Sequence, residues 1–360
     1  MSKTPYTIYD LDKLSENYLR LNKIFKDKDI FYAVKANKLA PILETMVSLG
    51  SNFEVNTSPE LDAVLNAGGT IDKIINSAPV KTIDCIEYMY SNGVRKFAYD
   101  SFCEIDKISK YAKGSGVFLR IYTSNEGSGQ ALNTKFGVSL KDAPELIDYA
   151  ISSGLNPFGI TFSVGSQCDN ISNWEEAIKL VAPLFDKYLS LTTLDIGGGF
   201  PIEYVKNSLS LDDISNVIEN SLKKFFRKRP NLYLEPGRYI VGNIGTTVSS
   251  VIGTKINEGI NWCFVDVSIF GGFLELFEFE DWFSYKITTN SKSNEKLLYN
   301  IAGPTCDGCD ILAKNILLPK IDMNSLIYFH STGAYTNEYA SNFNGFPMPT
   351  HVFLKKGVEQ

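Results

Sequence analysis

At 360 residues and 40.1 kDa, the chain is long enough for about two ordinary domains, or for one barrel with an addition. Its 44% hydrophobic and 21% charged residues exclude a disordered or collagen-like chain. A net charge of -6 argues against nucleic acid as a main partner, because neutralising phosphates needs a basic surface.

No apolar run approaches the ~18 residues that span a bilayer, so no membrane partner is expected. The opening MSKTPYTIYDLDKL lacks the apolar core and cleavage site of a secretory signal. A soluble, cytoplasmic protein is the expectation.

From about residue 12 the chain alternates between two textures. Helical periodicity in LDKLSENYLRLNKIF gives way to the strand-like DIFYAVK, then PILETMVSLG to NFEVN, and SPELDAVLNAG to KIINSAP. CIEYMYSNG, RKFAYD, EIDKISKYAKGSG and VFLRIYT continue the rhythm, followed by PELIDYAISSG, PFGITFSVGS, NWEEAIKLVAPLFDKY and LTTLDIGGG. A helical stretch around 212–227 and LYLEPGR end it. About eight such units imply a parallel sheet with crossover helices, the number that closes a TIM (β/α)8 barrel. An open doubly wound sheet is the alternative.

Beyond about residue 240, IVGNIGTTVSSVIGTKI, NWCFVDVS, FSYKITT, LLYNIAG and SLIYFHSTG read as short strands between Gly, Asn and Ser turns. These predict a separate antiparallel β domain. Residues 12–240 are therefore assigned to the α/β barrel, and 1–11 with 241–360 to the β domain.

Six cysteines are too few for a disulfide scaffold. Cys306 and Cys309 form a C-x-x-C, but with two histidines and no second such pair a zinc site is short of ligands. No metal is expected.

In barrels, chemistry sits at the C-terminal ends of the strands. Those ends carry Lys35, Glu54, Arg120, Ser163 to Ser166, Gly197 to Gly199, and Glu235-Pro236-Gly237-Arg238. A lysine behind an apolar strand is expected to be buried, which favours its neutral, nucleophilic form. Alone it reads more readily as a solvated loop residue. Two glycine loops can bring bare N–H groups to a phosphate, or simply make tight turns. Glu235 suits either an ion pair or a pyridine nitrogen. Together, lysine, glycine loops and carboxylate suit pyridoxal 5'-phosphate (PLP).

TPYTIYDLDKL, FYAVKAN, NFEVNTSPEL, FSVGSQC, LDIGGGFP, LEPGRYIV, GPTCDGCD and GAYTNEYASNFNGF, in that order, resemble the fold-type III PLP-dependent decarboxylases. That family includes ornithine, diaminopimelate and biosynthetic arginine decarboxylases, and GPTCDG with GAYT…FNGF is most similar to the ornithine branch. The resemblance implies a barrel of the alanine-racemase type. It also implies a lyase that releases carbon dioxide from a basic L-amino acid such as ornithine or lysine, yielding a diamine in polyamine biosynthesis.

By the same resemblance, Lys35 binds the cofactor covalently, with Glu54 and Arg120 near it. Ser166, Gly198, Gly199, Gly237, Arg238 and Tyr335 form the phosphate cup, and Glu235 faces the pyridine nitrogen. Cys306 protonates the product carbon and Asp307 binds the distal amine, both delivered by the partner subunit of a homodimer. Phe343 is an interface aromatic. Cys309 stands where the family has an apolar residue, so it is expected to pack.

Ser163 departs from the family's histidine, whose ring stacks on the cofactor. FGGFLELFEFEDWF (270–283) falls in the substrate-selecting stretch, with the substrate-contact position nearest Phe279. Its acids, Glu275, Glu278, Glu280 and Asp281, favour a distal ammonium or guanidinium over a carboxylate. Other readings are a decarboxylase of a siderophore, antibiotic or carrier-linked intermediate, an amino-acid racemase, and an inactive homologue.

Overall fold

The computed structural model describes residues 3–204, 208–278, 284–356 and 358–359, which fall into two compact units. One unit comprises Asn17–Pro201 and Ser208–Gly237. The other takes in the described residues of Met1–Glu16, Ile202–Asn207 and Arg238–Gln360.

A first strand, β1 (Tyr6–Asp10), runs directly into helix α1 (Leu11–Ile24). Strands and helices then alternate as β2 (Lys28–Ala33), α2 (Ala40–Ser48), β3 (Asn52–Glu54), α3 (Ser58–Asn66), β4 (Ile74–Ile75) and α4 (Ile83–Ser91). Next come β5 (Lys96–Tyr99), α5 (Phe102–Tyr111), β6 (Gly116–Arg120), β7 (Ser128–Gln130), α6 (Ala143–Ser152) and β8 (Asn156–Thr161). The series ends with β9 (Ser166–Cys168), α7 (Ser172–Lys187), β10 (Thr193–Asp195), α8 (Leu211–Phe225) and β11 (Asn231–Leu234).

Eight of these strands pair in parallel in the order β4-β3-β2-β11-β10-β8-β6-β5. The two ends of that row meet. Asn76 N donates to Lys96 O at 3.0 Å, and Ala98 N donates to Asn76 O at 2.8 Å. The sheet is a closed barrel, and the open alternative falls away. A row of Phe31, Ile75, Ala98, Phe118 and Tyr233 from five strands packs together, with the Phe31 and Tyr233 rings 4.6 Å apart. Strands covered on both faces read as unbroken apolar runs rather than alternations, as the buried IFYA of β2 does here.

Local signals start the helices. Pro41, Pro59 and Pro144 sit in first turns, where a missing N–H costs nothing. Thr82, Ser101 and Ser210 accept bonds from the backbone of Cys85, Glu104 and Asp213, satisfying otherwise orphaned donors.

The second unit carries α9 (Arg238–Val241), β12 (Gly245–Asn257), β13 (Ile260–Val265), α10 (Glu275–Glu278), β14 (Ile287–Thr289) and β15 (Lys296–Ala302). It continues with β16 (Ile311–Pro319), β17 (Leu326–His330), α11 (Thr336–Tyr339), β18 (Thr350–Lys355) and β19 (Val358–Glu359). With β1, its strands form one nine-stranded sheet. Pairing is mostly antiparallel; β1 with β18 and β13 with β15 are parallel. The strand predicted from Ile240 begins only at Gly245, because Arg238–Val241 is a helical turn with Ile240 and Val241 buried. β-Branched residues suit strands, but burial overrides that preference here. Val251, Val265, Phe273, Ile301 and Phe329 are central to this unit's core.

Candidate active site

Barrel strands end in a shared mouth, and each ending there offers a functional side chain. β2 runs into a short helical turn, Val34–Ala36, that presents Lys35. Its Nζ donates to Glu54 Oε2 at 2.9 Å from the end of the neighbouring β3. Glu54 is fully buried, but the lysine side chain is 45% exposed. The expectation of a buried amine is corrected: the apolar strand stops before the turn, which lifts Lys35 into the opening.

Glu235 follows β11, and Ser77, just after β4, donates its hydroxyl to Glu235 Oε1. Asp195 closes β10; its Oδ1 accepts the Gly197 N–H at 2.8 Å, which fixes the start of the glycine loop. Burial raises the Glu54 carboxyl above the ordinary range, with Lys35 opposing it. Burial and then the charge of Asp195 push Glu235 well above that range. Burial raises Asp195 too. Arg120, ending β6, donates to Leu132 O at 3.0 Å and lies 5.2 Å from the Phe136 ring. Burial lowers its pKa against the pull of Glu235, Asp100, Asp195 and Glu54.

Three carboxyls thus face one lysine and one arginine, an excess that suits an added cation. Glu54 Oε1 and Asp195 Oδ2 are buried and lack a hydrogen-bond partner among the described residues. Buried orphans of this kind cost on the order of 1–3 kcal/mol each unless a ligand satisfies them.

The glycine loop is equally specific. A Cβ on Gly198 would meet Glu235 O at 2.6 Å, and one on Gly199 would meet Gly165 O at 2.5 Å. Gly199 also has φ +86°, which side chains rarely adopt. Gly199 O accepts from Cys168 N at 3.0 Å, tying the loop to β9, where Ser166 lies. Bare backbone is therefore exposed where no larger residue fits, as an anion cradle requires. These residues fit pyridoxal phosphate. Lys35 answers its aldehyde, the acids its ring nitrogen and the glycines its phosphate.

Ser163 lies just past the end of β8. Its Oγ accepts the Gly165 N–H at 3.3 Å, and its carbonyl accepts Thr123 Oγ1 at 2.8 Å and Asn125 Nδ2 at 2.6 Å.

In the second unit Arg238 is buried. Its Nη1 donates to Tyr204 Oη at 2.7 Å and to Glu275 Oε2 at 2.9 Å, and its Nη2 donates to Glu275 Oε1. Tyr335, in left-handed backbone at φ 58°, lies with its ring 4.8 Å from the guanidinium. Burial opposes the Arg238 charge, but Tyr204 and Glu275 outweigh it and raise its pKa. Glu275 is thereby corrected from an amine-facing acid to the ion-pair partner of Arg238. Of the other acids in that stretch, Glu280 and Asp281 lie outside the described residues, as do Phe279 and the side chain of Glu278.

Cys306 and Asp307 sit on the loop between β15 and β16. Asp310 anchors that loop. Its Oδ2 accepts Thr305 N at 3.0 Å and Thr305 Oγ1 at 2.7 Å, while its Oδ1 accepts Ile269 N at 2.7 Å. Cys306 N donates to Asn344 Oδ1 at 3.1 Å, which brings the loop beside Phe343, itself 4.4 Å from the Phe270 ring. Cys306 and Cys309 are both exposed. Cys309 therefore does not pack; it lies at a turn whose N–H caps Asp307 Oδ1 at 3.0 Å.

Sequence reasoning missed Ser77, Asp195, Tyr204, Glu275 and Asp310 as site-building residues. Ser77 and Asp195 also stand at or near strand ends, so the same rule reaches them.

A closed barrel with a lysine and carboxylates at its mouth and a glycine phosphate cradle beside them defines a cofactor-binding enzyme. Residues 11–242 match the family model described as "Pyridoxal-dependent decarboxylase, pyridoxal binding domain". The lysine/ornithine decarboxylase of Selenomonas ruminantium is 35% identical over 97% of this chain and 90% of its own. Antizyme inhibitor 2 of Xenopus laevis is 29% identical, covering 98% and 82% respectively. The structure of the Vibrio vulnificus lysine/ornithine decarboxylase complexed with cadaverine is similar at a TM-score of 0.91 and 29% identity, over 98% of this chain and 95% of that one. The chain belongs to the pyridoxal-dependent decarboxylases, which are carbon–carbon lyases.

Proposed function

We propose that the chain decarboxylates a basic L-amino acid of the ornithine or lysine type, giving a diamine and carbon dioxide for polyamine synthesis in the cytoplasm. The observation that carries this is Lys35 Nζ held 2.9 Å from buried Glu54 at a mouth overloaded with carboxyls. Bound there, pyridoxal phosphate supplies a sink for the electron pair left when carbon dioxide departs.

The chain's own residues do the rest. Lys35 would hold the cofactor through Nζ. Glu235, backed by Ser77 and Asp195, receives the ring nitrogen and keeps its proton in place, since an adjacent carboxylate favours the charged form. Gly198, Gly199, Gly237 and Ser166, with Arg238 and Tyr335, would bind the phosphate, and Arg120 and Glu54 would lie near the cofactor. Ser163 lines the ring.

Cys306 Sγ delivers a proton to the α-carbon, the part a positioned general acid plays. Asp307, with Glu278 and Glu280, accepts the distal ammonium. Cys306, Asp307 and Phe343 serve the site of a partner subunit, so the working unit is a homodimer. In this division residues 12–240 form the cofactor-binding barrel, while 1–11 and 241–360 contribute to the dimer interface and to the active site.

The test is incubation of the purified chain, PLP added, with lysine, ornithine, arginine and diaminopimelate, followed by mass spectrometry. Cadaverine or putrescine is the expected product. Retained carboxylate with inverted chirality contradicts the reaction type and supports a racemase. Bound cofactor with no turnover supports an inactive homologue, which the presence of both Lys35 and Cys306 argues against.

Ser163 favours one second reading. A hydroxyl spent on its own turn stacks on nothing, which leaves room for a bulkier, specialised amino-acid substrate.

A further inference from the structure

Arg238, which the proposed function assigns to the cofactor's phosphate, already has an anion. Both of its terminal nitrogens donate to the Glu275 carboxylate, and Nη1 spends its second hydrogen on Tyr204. The two side chains of the pair are each only 3% exposed, so solvent does little to screen it. These bonds use three of the five guanidinium N–H groups, so a phosphate on Arg238 must either share the charge with Glu275 or displace it.

We propose that Glu275 competes with the cofactor phosphate for Arg238 and so weakens cofactor binding. The inference rests on the reading of Arg238 as a phosphate ligand. Its physics is simple: a buried Arg–Glu pair is neutral, and a phosphate approaching it meets repulsion from the carboxylate as well as attraction from the guanidinium. Removing the Glu275 charge while keeping its shape leaves the full arginine charge for the phosphate. The effect belongs to the phosphate alone, since pyridoxal without one has nothing to gain from Arg238.

The experiment titrates cofactor-stripped full-length chain with PLP and, separately, with pyridoxal, followed by absorbance and intrinsic fluorescence. Glu275→Gln is expected to tighten PLP roughly tenfold and leave pyridoxal unchanged. Glu275→Asp, which keeps the charge, is expected to retain the wild-type ratio of the two affinities. PLP bound no tighter by Glu275→Gln, or both ligands shifted equally, overturns the proposal.

A crystal structure of the wild-type chain with PLP gives a second measurement that does not depend on the variant folding. At least one Glu275–Arg238 bond is expected to be open. Phosphate on Arg238 with both bonds intact overturns the competition alone, whereas phosphate seated away from Arg238 overturns the role given to that arginine.

Discussion

Glu235 and Asp195 show most directly how individual residues set the chemistry. Burial, reinforced by the charge of Asp195, holds the Glu235 pKa well above the ordinary carboxylate range in the absence of a cation. In the unfolded chain the proton leaves in the ordinary range, while the folded chain keeps it to higher pH. The stability this contributes is complete below the ordinary range and is lost as pH rises through the raised value. The thermal midpoint of cofactor-free chain is therefore expected to fall as pH rises above the ordinary carboxylate range, and Glu235→Gln is expected to flatten that fall. A profile identical in the variant contradicts this account of the carboxyl. Lys35, Glu235 and Cys306 were legible in the sequence because a strand end or an unusual string marks each one. Glu275 was not, since nothing in a row of acids says which one turns inward to an arginine 37 residues away.

At the scale of elements, two loops carry the site, and each depends on a residue with no chemistry of its own. Gly199 combines a left-handed φ with backbone within 2.5 Å of any Cβ. Gly199→Ala is expected to cost about 2 kcal/mol or more of stability and to weaken PLP far more than pyridoxal, as denaturant melts and cofactor titrations would show. In the Cys306 loop, Asp310 accepts three bonds that hold the turn in shape. Asp310→Ala is expected to destabilise the chain by about 2–4 kcal/mol and to slow turnover, read by urea unfolding and by diamine release. Cys309 fared worse from sequence alone. An apolar residue at this position in the family it resembles suggested packing, but Cys309 is exposed on a short turn.

For the molecule as a whole, the alternating helix–strand rhythm placed the barrel's eight strands well. Their closure could not be read, because it depends on the β4–β5 contact, a geometric consequence of tilt rather than a pattern in any segment. The mixed pairing of the second sheet was hidden for a similar reason: β1 reaches β18 from the other end of the chain. The proposed dimer has its own test. Mixing Lys35→Ala chains with Cys306→Ala chains, each inactive alone, is expected to restore about a quarter of wild-type turnover if every site draws on two subunits.

The covalent role of Lys35 lies under all of these expectations. Borohydride reduction of the PLP-loaded chain, followed by peptide mapping, is expected to find the pyridoxyl group on the Lys35 Nζ and to lose it in Lys35→Ala. A label on another lysine, or none, contradicts the account.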